Sequence, residues 1–396
     1  MKIPEYVEFT LNRLEENGYT AYLVGGCVRD YLMGIDPHDF DITTSALPWQ
    51  IEECFFDIKT LDIGKKHGTI SLVFDGATVE VTTYRVDGEY KDMRHPESVT
   101  FTDKIENDLS RRDFTMNAIA YSPRHEFVDP YGGRADIERK IIACVGNPET
   151  RFSEDALRIL RALRFSSRLG FDIDDDTKKA IVSERRLLLN IAYERINTEF
   201  LGILDGNHAA KVILEFIEVF RTIIPSLGSV DYGSIGNAKD FGIITKLCLF
   251  FSHFDNKNEL SSLMKMLKFD NNTIKTVTSV VSLFNTYFSR HSDSDIKRAV
   301  SKIGVENTRI LLEALYCHTN DKTFVGAGLK LTEFVNEGAC MSLSALNVRG
   351  NEIIEKYHVN PSMTGRILLS LLDDVIDGKI PNDRQTLLIR AKQYIQ

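Results

Sequence analysis

Two short stretches hold the side chains with the most chemistry. In GGCVRDYLMGIDPHDFDITT, residues 25–44, Gly25-Gly26 and Arg29 precede the carboxylates Asp39 and Asp41. In SEDALRILRALRF, residues 153–165, Asp155 is followed by Arg158, Arg161 and Arg164 at a spacing of three. Asp-x-Asp on a strand sets both carboxylates on one face, about 7 Å apart along the chain. Such a pair suits a divalent cation, since Mg²⁺ takes one or two carboxylates and completes its shell with phosphate oxygens and water. A Gly-Gly turn at a helix start lets backbone amides approach a phosphate, and Arg29 adds a charge-assisted donor. Taken singly, the acidic pair also reads as a solvated strand end, and the glycine pair as a plain turn. Their conjunction within one short segment is a stronger sign of a divalent cation and a phosphate handled together than either feature alone.

The second stretch reads as a helix. Ser153 suits its cap, Glu154 and Asp155 suit its positive N-terminal end, and Gly170 suits its end. Phe152, Ala156, Leu160 and Leu163 supply a buried stripe. A step of three residues turns about 300° on a helix. Asp155 and Arg158 are then neighbours, and Arg161 and Arg164 continue on a stripe that winds, meeting an elongated ligand in sequence. By itself this pattern is also that of a solvated amphipathic helix laced with i,i+3 ion pairs.

The elements that must position these groups alternate in type up to about residue 145. IPEYVEFTLNRLEENG predicts a helix with Pro4 near its start and Gly18 past its end. TAYLV predicts a strand, GGCVRDYLMG a turn opening a short helix, and DFDITT a second strand. TISLVFDGATVEVTTY predicts two strands around Asp75-Gly76. RVDGEYKDMRHPESV predicts a mobile polar loop, and IIACV a last strand before Gly146. Beyond Gly146 the apolar residues recur mostly at three and four, so this long remainder predicts helices. Breaks fall near Gly206, in SLGSVDYGSIGN and near HTNDKT, with no clear short repeat.

The 396 residues are enough for several domains, and 43% hydrophobic with 27% charged residues is an ordinary globular composition. No apolar run approaches the roughly 18 residues of a membrane span. Glu5 and Glu8 stand where a signal peptide needs an apolar core, so a cytoplasmic protein without membrane partners is expected. The six cysteines form no CxxC pair, which argues against structural zinc and a disulfide framework. A net charge of −9 argues against a protein that coats nucleic acid with its whole surface, but not against a local basic site.

LVGGCVRDYLMGIDPHDFDITTSALP closely resembles the catalytic motif of class II tRNA nucleotidyltransferases, the bacterial CCA-adding enzymes of the poly(A) polymerase family. The resemblance continues in VEVTTYR, DLSRRDFTMNAIAY, DPYGGRADIERKIIACVG, RFSEDALRILRALRF and ERINTEF, and thins beyond about residue 205. It implies an α+β nucleotidyltransferase head of polymerase-beta type, a mixed sheet with helices, followed by an all-α multi-domain C-terminal half. It further implies a head at 1–145, a helical neck at 146–208, a body at 209–310 and a tail at 311–396 that binds tRNA.

The activity implied is template-independent addition of CCA to the tRNA 3′ end from CTP and ATP, by nucleotidyl transfer assisted by two Mg²⁺ held by Asp39 and Asp41. Glu80 is the candidate third carboxylate, a surface strand glutamate being the other reading. By the same resemblance Gly26, Arg29, Arg112, Arg161 and Arg164 bind the nucleotide. Asp113 and Asn117 brace the site, and Arg111 is a surface charge. Asp155 and Arg158 read the base. Cytosine and adenine both pair an exocyclic amino donor with a ring-nitrogen acceptor, which a carboxylate and an arginine complement; guanine and uracil present the reverse. A full-length loop after Tyr84 favours complete CCA addition. A CC-adding or A-adding member of a split pair, or a poly(A) polymerase, is the alternative. The expected partner is the acceptor stem and elbow of tRNA, with Lys265, Lys268, Lys297, Arg298 and Arg309 available to phosphates, although each alone reads as a surface charge. The sequence does not fix the oligomeric state.

Overall fold

The computed structural model describes residues 2–61, 64–88, 98–228, 231–287 and 291–395. The chain forms two compact units: the residues up to His208 together with Glu215–Leu227, and Ala209–Leu214 together with the residues from Gly228 on.

In the first unit, α1 (Glu5–Glu16) leads into β1 (Ala21–Val24), α2 (Gly26–Leu32), β2 (Asp41–Thr44) and α3 (Pro48–Cys54). Then come β3 (Lys59–Leu61), β4 (Thr69–Phe74), β5 (Ala77–Thr83), β6 (Arg85–Asp87), β7 (Val99–Phe101) and α4 (Ile105–Ser110). The head closes with β8 (Ala120–Ser122), β9 (Glu126–Val128), α5 (Gly133–Arg139) and β10 (Ile141–Ile142). Seven strands make one sheet in the order β3-β4-β5-β2-β1-β8-β9. Its one parallel pair, β2 with β5, sits among antiparallel neighbours. Leu11 and Leu14 of α1 and Ile51 of α3 are fully buried, as the helical spacing of apolar residues requires. Ile105 and Leu109 of α4 pack with Tyr22, Val24 and Ala120 of the sheet, which fixes where the segment after α4 begins.

A helical part of the same unit follows: α6 (Pro148–Glu154), α7 (Leu157–Leu169), β11 (Asp172–Ile173), α8 (Asp175–Glu184), α9 (Tyr193–Asp205) and, after α10 (Ala209–Glu215), whose residues up to Leu214 belong to the second unit, α11 (Ile217–Ile223). The second unit continues with α12 (Ile243–Phe250), α13 (Lys257–Met266), α14 (Asn271–Tyr287), α15 (Asp293–Ile303) and α16 (Val305–Thr319). It ends with α17 (Thr323–Asn336), α18 (Gly350–Tyr357), α19 (Pro361–Ile376) and α20 (Arg384–Ala391). The fold is a mixed-sheet head followed by a largely helical remainder.

Five local expectations need correction. β2 begins at Asp41, so Asp39 lies just before the strand, although exposure still alternates as Asp39 out, Phe40 in, Asp41 out. The expected continuous helix over 153–165 is two helices, broken at Asp155, whose backbone is extended at φ −141°, ψ 99°. Asn147, not Ser153, caps the first of them, accepting the Thr150 amide, while the Asp155 carboxylate accepts the Leu157 amide at the start of the second. Phe152, Ala156, Leu160 and Leu163 are all fully buried, and Gly170 ends α7 at φ 71°. Both ends of the expected polar loop are ordered as a ribbon, β6 against β7; residues 89–97 lie outside the described residues. IIACV yields only the two-residue β10, paired with β11 and not with the large sheet.

Candidate active site

Asp41 closes the β1–β2 ladder opposite Val24, the last residue before the glycine turn. The same residue registers with Glu80 across the parallel β2–β5 pair. Asp39, Asp41 and Glu80 are all exposed, and registered partners share a sheet face. Partial desolvation raises the Asp41 carboxyl above its ordinary value; the charges of Asp39 and Glu80 raise it further, against the opposing pull of Arg112. Among the described residues no three His, Cys, Asp or Glu side chains form a ready-made metal set. The residues present nonetheless fit Mg²⁺, which needs only one or two protein carboxylates, and a cation there would relieve the repulsion that Asp41 feels.

Gly25 has φ 76°, and a Cβ on it would lie 3.4 Å from an Arg112 guanidinium nitrogen and 3.9 Å from an Asp41 oxygen. The absent side chain leaves the space between these two groups open. Arg112 is held by Asp108 at 3.1 Å, and Asp108 also accepts from Arg111 at 2.7 Å. Asp108 is completely buried; burial would raise its carboxyl, but Arg112 and Arg111 hold it below its ordinary value. Sequence reasoning missed Asp108, although its i,i+3 and i,i+4 spacing to the two arginines was visible.

Three of the five positively charged candidates, Arg29, Arg161 and Arg164, take side-chain partners from distant segments. Arg29 on α2 donates to Asn117 at 2.9 Å and pairs with Asp30 at 2.7 Å. Asn117 donates to Asp113, whose other oxygen accepts two bonds from Arg161, at 2.9 and 2.7 Å. Burial alone would raise the Asp113 carboxyl, but Arg161 foremost holds it below its ordinary value. Burial likewise works against the Arg161 charge, and Asp113 more than compensates. Arg164 pairs with Glu199 of α9 at 2.6 Å. Its stem lies on Gly202, where a Cβ would meet the Arg164 Cδ at 2.5 Å.

The Asp155 carboxylate and the Arg158 guanidinium take different partners, although the Arg158 amide donates to the Asp155 carbonyl at 3.0 Å. Asp155 faces Arg195 of α9 at 3.2 and 3.3 Å. Arg158, only 8% exposed, donates to Glu154 at 2.8 Å and to the carbonyls of Arg151 and Arg111, both at 3.1 Å. Those three bonds leave two of the five guanidinium N–H donors for a ligand. Arg111 is therefore more than the surface charge expected from sequence. Its side chain contacts Asp108, its carbonyl holds Arg158, and its guanidinium lies 3.9 Å from Asp87 of β6. Arg195 and Glu199 both stand in ERINTEF, a stretch the sequence singled out without assigning either residue.

The "Poly A polymerase head domain" family model matches residues 21–143, and tRNA nucleotidyltransferase domain 2 matches 242–391. The model described as "Probable RNA and SrmB- binding site of polymerase A" matches 170–227. A CCA-adding enzyme of Geobacillus sp. (strain WCH70) is 33% identical over 383 residues, covering 95% of this chain and 94% of its own length. The chain belongs to the CCA-adding enzyme family. Another member, from Leuconostoc mesenteroides, is 34% identical over 393 residues, covering 97% of this chain and 95% of its own. Among solved members, the Bacillus stearothermophilus CCA-adding enzyme in complex with CTP superposes with a TM-score of 0.76 at 30% identity, over 99% of this chain and 98% of its own. As a family member the chain is a nucleotidyltransferase. No helix among the described residues is long and apolar enough to cross a membrane.

Proposed function

We propose that the protein adds CCA to the 3′ end of tRNA from CTP and ATP. The observation that carries this reading is the gathering of Asp39, Asp41, Arg29, Arg112, Asp155 and Arg158 in one compact unit of a chain whose CCA-adding relatives match it over nearly their whole length. Asp39 and Asp41 hold divalent cations, with Mg²⁺ the natural occupant. When bound there, the cations lower the pKa of the attacking RNA 3′-hydroxyl and neutralise charge on the triphosphate and leaving pyrophosphate. Arg29 and Arg112, each fixed by a carboxylate, offer their remaining donors to phosphate oxygens.

Asp155 and Arg158 select the base. Arg195 orients the Asp155 carboxylate, which keeps lone pairs for the exocyclic amino group of cytosine or adenine. Arg158, held by Glu154 and two carbonyls, brings its two remaining N–H groups to the base edge. Guanine or uracil would set a carbonyl against Asp155 and an N–H against Arg158, a strong basis for rejection. tRNA bound through its acceptor stem and elbow supplies the 3′ end, and the helical remainder serves its shape and phosphates. The test is a set of tRNA transcripts lacking CCA, ending in C, and ending in CC, each given Mg²⁺ and labelled nucleotides. Completion of all three to CCA, with GTP and UTP refused, is expected. A halt at CC, extension of the CC-ended transcript alone, or unlimited A addition would replace this reading with a CC-adding, an A-adding or a poly(A)-adding one.

A further inference from the structure

One aromatic ring lies at the centre of the arginine cluster. The guanidinium carbons of Arg164, Arg29 and Arg161 stand 4.9, 5.2 and 5.4 Å from the centroid of Phe165. Two of these arginines come from α7 and the third from α2, so a single ring gathers charge from the head and the helix that follows it. Phe165 is itself 8% exposed and is fixed edge-on by the fully buried Phe114, at 5.8 Å and 84°. Phe114 adjoins Asp113, the carboxylate that holds Arg161.

Three like charges this close repel one another. Each pairs with a carboxylate: Asp30 on α2, Asp113 in the segment after α4, or Glu199 on α9. Among the described residues the ring is the group that all three lie against. Its electron-rich faces attract guanidinium groups, most strongly where water is excluded. The Arg29, Arg161 and Arg164 side chains keep 12%, 32% and 19% of their surface open, so they remain reachable by an anionic ligand while resting on the ring.

We infer that Phe165 is a positioning residue for nucleotide binding: its ring holds Arg29, Arg161 and Arg164 together in the arrangement that receives CTP and ATP. This rests on the function proposed above. The role is electrostatic as well as steric, so it depends on the ring's quadrupole and not only on its volume. It concerns the three arginines that hold the nucleotide and not the base-reading pair, so it acts on CTP and ATP alike.

The test replaces Phe165 in the full-length protein with phenylalanines carrying one, two, three and five fluorine atoms, which drain the quadrupole at nearly constant shape. Phe165→Leu and Phe165→Tyr are made beside them. The dissociation constants for CTP and ATP are measured directly, with the unfolding midpoint as a check on folding. The expected result is a stepwise weakening for both nucleotides, reaching roughly tenfold for the pentafluoro ring and for Phe165→Leu. Phe165→Tyr should stay near wild type, and refusal of GTP and UTP should be unchanged throughout. Flat affinity across the fluorinated series, with CTP still bound by wild type, would overturn the inference and leave the proposed function standing. Loss of discrimination against G and U in the series would also overturn it. A wild-type protein that binds neither CTP nor ATP would overturn the function itself and this role with it.

Discussion

The arginines of the first unit and the cations of the second are used in opposite ways. Around the candidate site, Arg158, Arg161, Arg164 and Arg29 are largely covered, and each has at least one partner between 35 and 88 residues away in the chain, beside nearer ones such as Glu154 and Asp30. In the helical unit, Lys330 faces Glu333 and Arg309 faces Glu306 across one helical turn, at 3.6 and 4.0 Å and mostly in solvent. Lys297 rests over Phe334 and Arg298 pairs with Asp377, so with Arg309 at least three of the five cations offered from sequence to phosphates are already engaged within the chain. Surface pairs of this kind contribute little, while covering a charge is costly and persists only with a partner. Among its described residues the second unit holds a counterpart to the site's economy of charge. Asp374, 3% exposed, accepts from Arg390 at 2.6 Å and from Tyr394, and it anchors the last helix onto α19. Covered charge is thus not by itself a mark of function. At the site it ties several elements together; at Asp374 it pins the end of the chain.

The largest effect that would sharpen this contrast is on chemistry alone. Asp41→Ala should reduce addition of both C and A by on the order of 10³-fold or more, the scale of lost metal assistance, with tRNA binding and the unfolding midpoint nearly unchanged. Retained turnover would remove the carboxylate pair from the proposed function.

The next comparison sets Asp113→Ala against Asp374→Ala. Each strips an arginine of its partner; Asp113→Ala should cost about 3 kcal/mol of stability in urea unfolding, the low end for a covered pair because Arg161 keeps about a third of its side chain in solvent, and Asp374→Ala should lower the unfolding midpoint as well. Only Asp113→Ala should weaken CTP binding. Equal effects on CTP would break the distinction between the two units. Both carboxyls are held below their ordinary values, so their stabilisation is present at neutral pH and is lost as pH falls below about 4. The gap between wild type and either variant should be constant from pH 7 to about 5 and narrow at lower pH.

A smaller change is Gly202→Ala. Its methyl must displace the Arg164 stem, at a cost of about 1–3 kcal/mol, and should raise the KM for CTP and ATP together. Unaltered KM would show that Arg164 reaches the nucleotide from another position. Smallest of all, Lys330→Ala should stay within about 0.5 kcal/mol of wild type by thermal unfolding. A larger loss would show that the exposed pairs of the helical unit do more than solvate it.

Much of the site was legible because its chemistry is local. Gly25, Arg29, Asp39 and Asp41 fall within one strand-turn-helix-strand segment, and the Asp75-Gly76 turn joins β4 to β5 with Gly76 at φ 76°. The break at Asp155 was hidden because apolar residues keep a helical spacing on either side of it. A helix interrupted for one extended residue leaves that spacing nearly intact, and the cue, a carboxylate capping the amide two residues on, also fits a helix interior. β3, β8 and β9 went unpredicted because each is three residues long, too short to show alternation, and is stabilised by its neighbours in the sheet.

By itself the sequence determined the residue types that can do nucleotidyl chemistry, the family they resemble, and the change from alternating to helical periodicity after Gly146. Those properties are set by composition and by spacings of a few residues. Only the tertiary structure decided what each charge faces: Asp155 meets Arg195, Arg158 meets the Arg111 carbonyl, Arg161 meets Asp113, and three guanidiniums share Phe165. The physical reason is that a covered charge must be compensated by whatever the fold brings beside it, and such partners here lie 35 to 88 residues away in the chain as well as within a helical turn.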